Sequence, residues 1–135
     1  MKREIIFRGK KKRNNEWVEG SLVMVSDGES LNRYPCIVVS YNHDTFDWYE
    51  VIPETVGQFT GLLDRNGNKI FEGDIIIFPG ITSGGNNKVC GEVKFSNERL
   101  RYEYGNDGVW YPLYTVTMPV PEIISNIHES LTPNK

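Results

Sequence analysis

The sequence predicts an all-β or mainly β protein, a compact antiparallel barrel-like fold built from hairpins with little helix. Three observations carry that expectation. Alanine, the strongest helix former, is absent from the 135 residues. Thirteen Gly and seven Pro punctuate a chain rich in Val, Ile, Tyr, Phe and Trp, which suits pleated surfaces and tight turns. Short apolar or alternating runs recur between Gly- and Asn-containing turns, the pattern of a barrel or sandwich.

The elements follow in order. Glu4–Arg8 reads as a short strand, Lys10–Asn15 as a polar turn, and Trp17–Val25 as the return strand. After a loop over Ser26–Arg33, the apolar run Cys36–Tyr41 suits a buried strand. Asn42–Asp47 is polar and turn-like, and Trp48–Ile52 follows as a strand. Gln58–Leu63 and Lys69–Phe71 flank Asp64-Arg65-Asn66-Gly67, where Gly67 supplies the positive φ that a tight hairpin needs. Glu72-Gly73 turns the chain into Asp74–Phe78, which Pro79-Gly80 is expected to end. Gly80–Lys88 then reads as the most flexible loop, with Gly84-Gly85 and Asn86-Asn87 at its centre.

Val89–Ser96 alternates, with Val89, Gly91, Val93 and Phe95 on one face. Arg99–Tyr104 alternates as well, placing Leu100, Tyr102 and Tyr104 opposite Arg99, Arg101 and Glu103. Asn106-Asp107-Gly108 marks a turn, and Val109–Thr117 returns as a strand. Pro119 and Pro121 exclude helix there, Glu122–Ile127 fits a last strand or one helical turn, and Ser130–Lys135 should fray. The chain reads as one domain over 1–135, with an alternative division into two sub-barrels near 79–88.

Composition narrows the function classes. The net charge is −3 and the isoelectric point near 5.4, so the molecule lacks the basic excess of a nucleic-acid binder. Charge is nevertheless uneven, since seven of the 15 Lys and Arg residues lie between Lys2 and Arg13. Cys36 and Cys90 are too few and too far apart for a disulfide scaffold or a metal knuckle, and read as buried small hydrophobes. The charged start is followed by no apolar segment of signal-peptide type, and no apolar run reaches the ~20 residues that span a bilayer. A cytoplasmic, reduced setting without membrane contact is expected.

Three stretches, Pro53–Leu62, Asp64-Arg65-Asn66-Gly67 and Ile70–Ile75, closely resemble the YopX family. The likeness extends to Arg3–Arg8, to Trp17-Val18-Glu19-Gly20 and to the closing Glu122–Glu129, so it runs nearly end to end. Two departures stand out: Lys10–Arg13 occupies a turn that varies in the family, and Ser125 stands where the family pattern has Gly. The resemblance implies a protein of bacteriophages, prophages and mobile elements, a bacterial host cytoplasm, and no settled activity.

Within the motif, Gly57, Gly61, Asp64, Asn66, Gly67, Glu72, Gly73 and Asp74 are read as structural, because turn residues commonly bond their own backbone. A calcium loop at Asp64–Asn68 fails, since Asn-Gly comes two places early and Ile75 stands where the bidentate Glu belongs. His43, Asp44 and Asp47, with His128, lack ligand spacing, so no metal or other cofactor is expected. Gly84-Gly85 lacks the Lys-Ser/Thr of a phosphate loop, and a nucleophilic Cys36 or Cys90 would need a base that the sequence does not place.

Three functional readings remain. The first is a non-enzymatic module that binds a protein partner or itself, using Trp17, Tyr41, Trp48 and Trp110 as interface aromatics. The second is a nucleic-acid-binding barrel in which Lys10, Lys11, Lys12 and Arg13 meet phosphates and Trp17 and Tyr41 stack on bases. Against it, a basic hairpin tip is also an ordinary solvated guard against edge aggregation. The third, weakest reading is a hydrolase using Glu54, Glu72 or Asp74.

Overall fold

A computed structural model describes residues 4–29, 32–83, 87–106, 108–113 and 120–129. The strands are β1 (Phe7–Lys10), β2 (Trp17–Ser26), β3 (Arg33–Ser40), β4 (Phe46–Glu50), β5 (Gly57–Leu63), β6 (Lys69–Phe71), β7 (Asp74–Ser83), β8 (Asn87–Ser96), β9 (Arg101–Asn106), β10 (Val109–Pro112) and β11 (Glu122–Asn126). A single 3-10 turn, Pro53–Thr55, is the one helical element among the described residues. The mainly β, antiparallel class read from the sequence therefore holds.

Residue contacts divide the chain into two compact units, Met1–Phe59 and Thr60–Lys135. The segment 79–88 lies inside the second, running from the end of β7 into the start of β8. In the first unit the hydrogen-bonded order is β4-β3-β2-β1-β5, and the far half of β5 belongs to the second unit, where β6 follows it in the same order. The other sheet runs β10-β9-β8-β7-β11. Neither closes into the expected barrel. The end of β4 does meet the end of β1, but through a single antiparallel bridge, Lys11 with Val51. Ile52 donates to the Lys10 carbonyl at 2.9 Å, and the next residue is Pro53, which has no N–H with which to prolong a ladder.

The first unit buries Cys36, Ile37, Val51 and Phe59. Its strands approach closely at Gly20, where an added Cβ would stand 2.1 Å from the Val38 carbonyl oxygen. In the second unit Ile70, Ile76, Phe78 and Val93 form the buried cluster, with Leu62, Tyr104, Leu113 and Ile123 packed against it. The β5–β6 turn uses Gly67 at φ +85°, as expected.

Four expectations need correction. Pro79-Gly80 does not end β7, because the β7–β8 ladder shifts register between Ile77 and Thr82 and absorbs both residues there. The flexible loop expected over Gly80–Lys88 shrinks accordingly, since 80–83 and 87–88 are strand. Leu100 is not part of the alternating face; it adopts φ +55° in a turn and is 75% exposed. Phe95 is also exposed, while Ser96 is buried and accepts the Arg99 N–H at 3.1 Å, which re-aims the strand end. Glu122–Asn126 resolves as a strand, with a bulge between Ile123 and Ser125. Gly84, Gly85, Asn86, Tyr114–Pro119 and Ser130–Lys135 lie outside the described residues.

Candidate functional site

The first unit carries an open groove of about 720 Å³ lined by Lys12, Arg13, Asp47, Trp48, Tyr49 and Glu50. Two elements build it. The turn after β1 presents Lys12 and Arg13, and β4 presents the rest. They are held together by the Lys11–Val51 bridge and by Lys12 N–H donating to the Glu50 carbonyl at 2.9 Å. Thr55 braces the joint: its hydroxyl accepts the Lys10 N–H at 2.9 Å and donates to the Ile52 carbonyl at 2.6 Å. That is a structural role for the first of the two Thr in the Pro53–Leu62 stretch.

The groove carries both signs of charge. Lys12 Nζ lies 3.0 Å from Glu50 Oε2, in a pair that remains open to solvent. Lys11 Nζ sits 4.1 Å above the Tyr49 ring. The Tyr49 hydroxyl donates weakly to Asp47 at 3.4 Å, and Tyr41 joins the same cluster. Hydrogen bonding to Tyr49, then to Asp47, pushes the Tyr41 phenol up to about 12. Trp48 is 55% exposed on the same strand, beside Phe46 at 62%. Arg13 is exposed and has no counter-ion among the described residues.

The structure thus brings Lys12, Arg13 and Trp48 together, with Tyr41 bonded to the Tyr49 that lines the groove. Trp17 is engaged otherwise, with the Arg8 guanidinium 4.5 Å and Lys10 Nζ 5.4 Å from its ring centre. Trp110 is likewise covered, by Lys94 Nζ at 4.0 Å in the second unit. Sequence reading missed Phe46, Asp47, Tyr49 and Glu50, because it began the strand at Trp48 and gave Phe46 and Asp47 to the turn. The alternation of Phe46, Trp48 and Glu50 against Asp47 and Tyr49 was the available signal.

The two motif aspartates are occupied by the backbone. Asp64 is buried; its Oδ1 accepts the Asn66 and Asn68 N–H groups at 2.9 Å each, and its Oδ2 accepts Ile123 N–H at 3.1 Å. Burial pushes this carboxyl up, but the N–H groups of Asn68, Ile123 and Asn66 outweigh it and hold the pKa below its ordinary value. Asp74, also buried, accepts Phe71 N–H at 2.8 Å. Glu72 is half-buried in the turn before β7, and Glu54 is exposed in the 3-10 turn. Gly57 lies at the start of β5, while Gly61 and Gly73 take positive φ at +95° and +93°.

One ionic cluster was not foreseen. Glu103, with no exposed surface, accepts from Arg99 Nε at 2.5 Å and Nη2 at 3.0 Å, and from Arg101 Nε at 2.7 Å. The Arg99 hydrogen bonds first, then those of Arg101, overcome desolvation and hold its pKa down to about 2. Its cover consists of guanidinium groups that are themselves 45% and 40% exposed, so the cluster lies just under the surface.

Elsewhere, His43 and Asp44 pair at 3.2 Å in a solvated turn whose Asn42 Oδ1 accepts the Asp44 and Thr45 N–H groups. His128 lies in the turn after β11, where its N–H meets Asn126 Oδ1 at 2.9 Å. No three His, Cys, Asp or Glu side chains among the described residues gather as a metal cage. Cys36 is buried and Cys90 half-buried; burial, then the nearby Glu50 charge, raises the Cys36 thiol. No helix among the described residues is long and apolar enough to cross a membrane.

The class defined by these features is a mainly β protein of antiparallel hairpins, its motif aspartates bonded to backbone and its groove mixed in charge. The pattern of the YopX protein family matches residues 6–132, and the chain belongs to that family. A comparison with curated proteins gave no match. Among solved structures, the crystal structure of a protein from Enterococcus faecalis is similar at 17% identity and a TM-score of 0.47, covering 94% of this chain and 95% of that one.

Proposed function

We propose that this YopX-family protein is a non-enzymatic protein-interaction module, of phage or mobile-element type, acting in the cytoplasm of a bacterial host. The observation that carries this reading is the pair of exposed aromatics, Phe46 and Trp48, on sheet-edge strand β4 beside the groove. Aromatic and Arg side chains are the types that anchor protein interfaces. The groove's charges support a protein over a nucleic acid, because Asp47 and Glu50 would face the phosphates and Glu50 already pairs with Lys12. The bonding of Asp74 to the Phe71 N–H, with Glu54 exposed in its 3-10 turn, supports a non-enzymatic reading over a carboxylate hydrolase.

The test is affinity capture from the bacterial host with the wild-type chain, a Phe46→Ser/Trp48→Ala variant and a Leu100→Ser control. The module reading expects a partner retained by wild type and control and lost by the double variant. Identical capture by all three chains would overturn it.

A further inference from the structure

We propose that the partner docks as an extended peptide strand along the free edge of β4, with an acidic side chain of that peptide received by Arg13. This rests on the interaction reading above and names its mode.

The β3–β4 ladder decides which backbone groups are open. Tyr41 donates to the Thr45 carbonyl at 2.9 Å and Val51 to the Pro35 carbonyl at 3.1 Å, in register with the pairs Val39–Asp47 and Ile37–Tyr49. Antiparallel strands alternate between pairs that exchange hydrogen bonds and pairs that do not. Asp47 and Tyr49 therefore turn their N–H and C=O groups toward β3, and Phe46, Trp48 and Glu50 turn theirs outward. The Glu50 carbonyl is taken by Lys12 N–H. Among the described residues, Phe46 and Trp48 are left with an open donor and acceptor each, at the two positions whose aromatic side chains are most exposed on the strand. An extended peptide satisfies such an edge with main-chain bonds, and side-chain contacts add selectivity.

Charge selects the occupant. Lys12 is paired with Glu50 and Lys11 lies on Tyr49, so Arg13 is the groove cation without a counter-ion among the described residues. It belongs to the turn that meets β4 at its Glu50 end, so a carboxylate at that end of the docked strand would meet it. A second copy of this chain fits less well. The symmetric pairing that joins Phe46 to Trp48 of a second copy sets Asp47 directly opposite its own equivalent, in the closer, non-hydrogen-bonded position. Like charges so placed oppose pairing.

The test titrates the full chain with three short synthetic peptides of alternating Thr and Val. One carries two Glu at one end, one carries two Lys there, and one is the Glu peptide N-methylated at alternate residues. Backbone amide NMR signals of Phe46 and Trp48 report docking. The Glu peptide should shift both signals, the N-methylated peptide should shift neither, and Arg13→Glu should weaken the Glu peptide by about tenfold or more while favouring the Lys peptide. Equal binding by Glu and Lys peptides, or by the N-methylated peptide, overturns the proposal. So does a dimer in sedimentation that Trp48→Ala dissociates, which would put a second copy on the edge. If no peptide binds while host-protein capture still depends on Phe46 and Trp48, strand addition is wrong and the module reading survives. If capture is independent of those residues too, both fall.

Discussion

Asp64 accepts the backbone N–H of Ile123 through Oδ2 at 3.1 Å, across 59 positions of sequence. The same turn donates Arg65 N–H to the Pro121 carbonyl at 2.9 Å. Two family signatures, the Asp64–Gly67 turn and the closing strand, are thus one piece of structure. Replacing Asp64 with Ala leaves three N–H groups without their acceptor, those of the exposed Asn66 and Asn68 and of the half-buried Ile123. The expected loss is roughly 2–3 kcal/mol in urea unfolding, with faster amide exchange at Ile123. An unchanged midpoint would mean that water replaces the carboxylate at little cost.

Thr55→Val removes the acceptor for Lys10 N–H and the donor to the Ile52 carbonyl while keeping the side-chain shape. The expected cost is about 1–3 kcal/mol, and Thr55→Ser should restore most of it. Because these bonds brace the joint of β1 with the chain after β4, the Lys12 amide should exchange faster in the Val variant.

Gly20→Val forces a Cβ to within 2.1 Å of the Val38 carbonyl oxygen, a backbone atom that cannot rotate away. The strands would have to separate, at a cost of about 3 kcal/mol or more. Thermal unfolding of this variant against a Val23→Ser control, at a site 43% exposed, separates the steric effect from a general loss of β2.

Acid should destabilise the second unit through Glu103 and Asp64. Both carboxyls are held below their ordinary pKa, Glu103 at about 2, so each binds fewer protons in the folded chain than in the unfolded one. Their stabilisation is full above the unfolded values of about 4 and is lost as pH falls through the folded values. Glu103→Gln should flatten the fall in urea midpoint between about pH 4.3 and pH 2. A variant as acid-sensitive as the wild type would remove Glu103 from the account.

Single-stranded DNA should bind feebly at physiological salt, since Lys12 is paired with Glu50 and the Trp17 ring is covered by Arg8 and Lys10. Tight binding with a steep salt slope, abolished when Lys10, Lys11, Lys12 and Arg13 become Ser, would instead favour the nucleic-acid reading.

Local signals made much of the fold legible. The Gly67 turn, the alternation of Gly91 and Val93 against Glu92 and Lys94 in β8, and the apolar Cys36–Val39 run each follow from rules acting over a few residues. What escaped depends on partners distant in sequence or on register. Pro79-Gly80 reads as a strand end, yet a ladder irregularity accommodates it within β7. Arg99, Arg101 and Glu103 alternate like a solvated stripe, and only the turn that ends in Leu100 folds Arg99 back over Glu103. The groove was half visible: its basic residues and Trp48 stood out separately. The Lys11–Val51 bridge that joins them has no local signature.

The most direct measurement is amide hydrogen exchange along β4 in the isolated chain. The account predicts alternation, with Phe46 and Trp48 exchanging fast and Asp47 and Tyr49 slowly, because only the latter pair bonds to β3. Equal protection at all four positions would show that the edge is already covered, and would contradict a β4 left open for a partner strand.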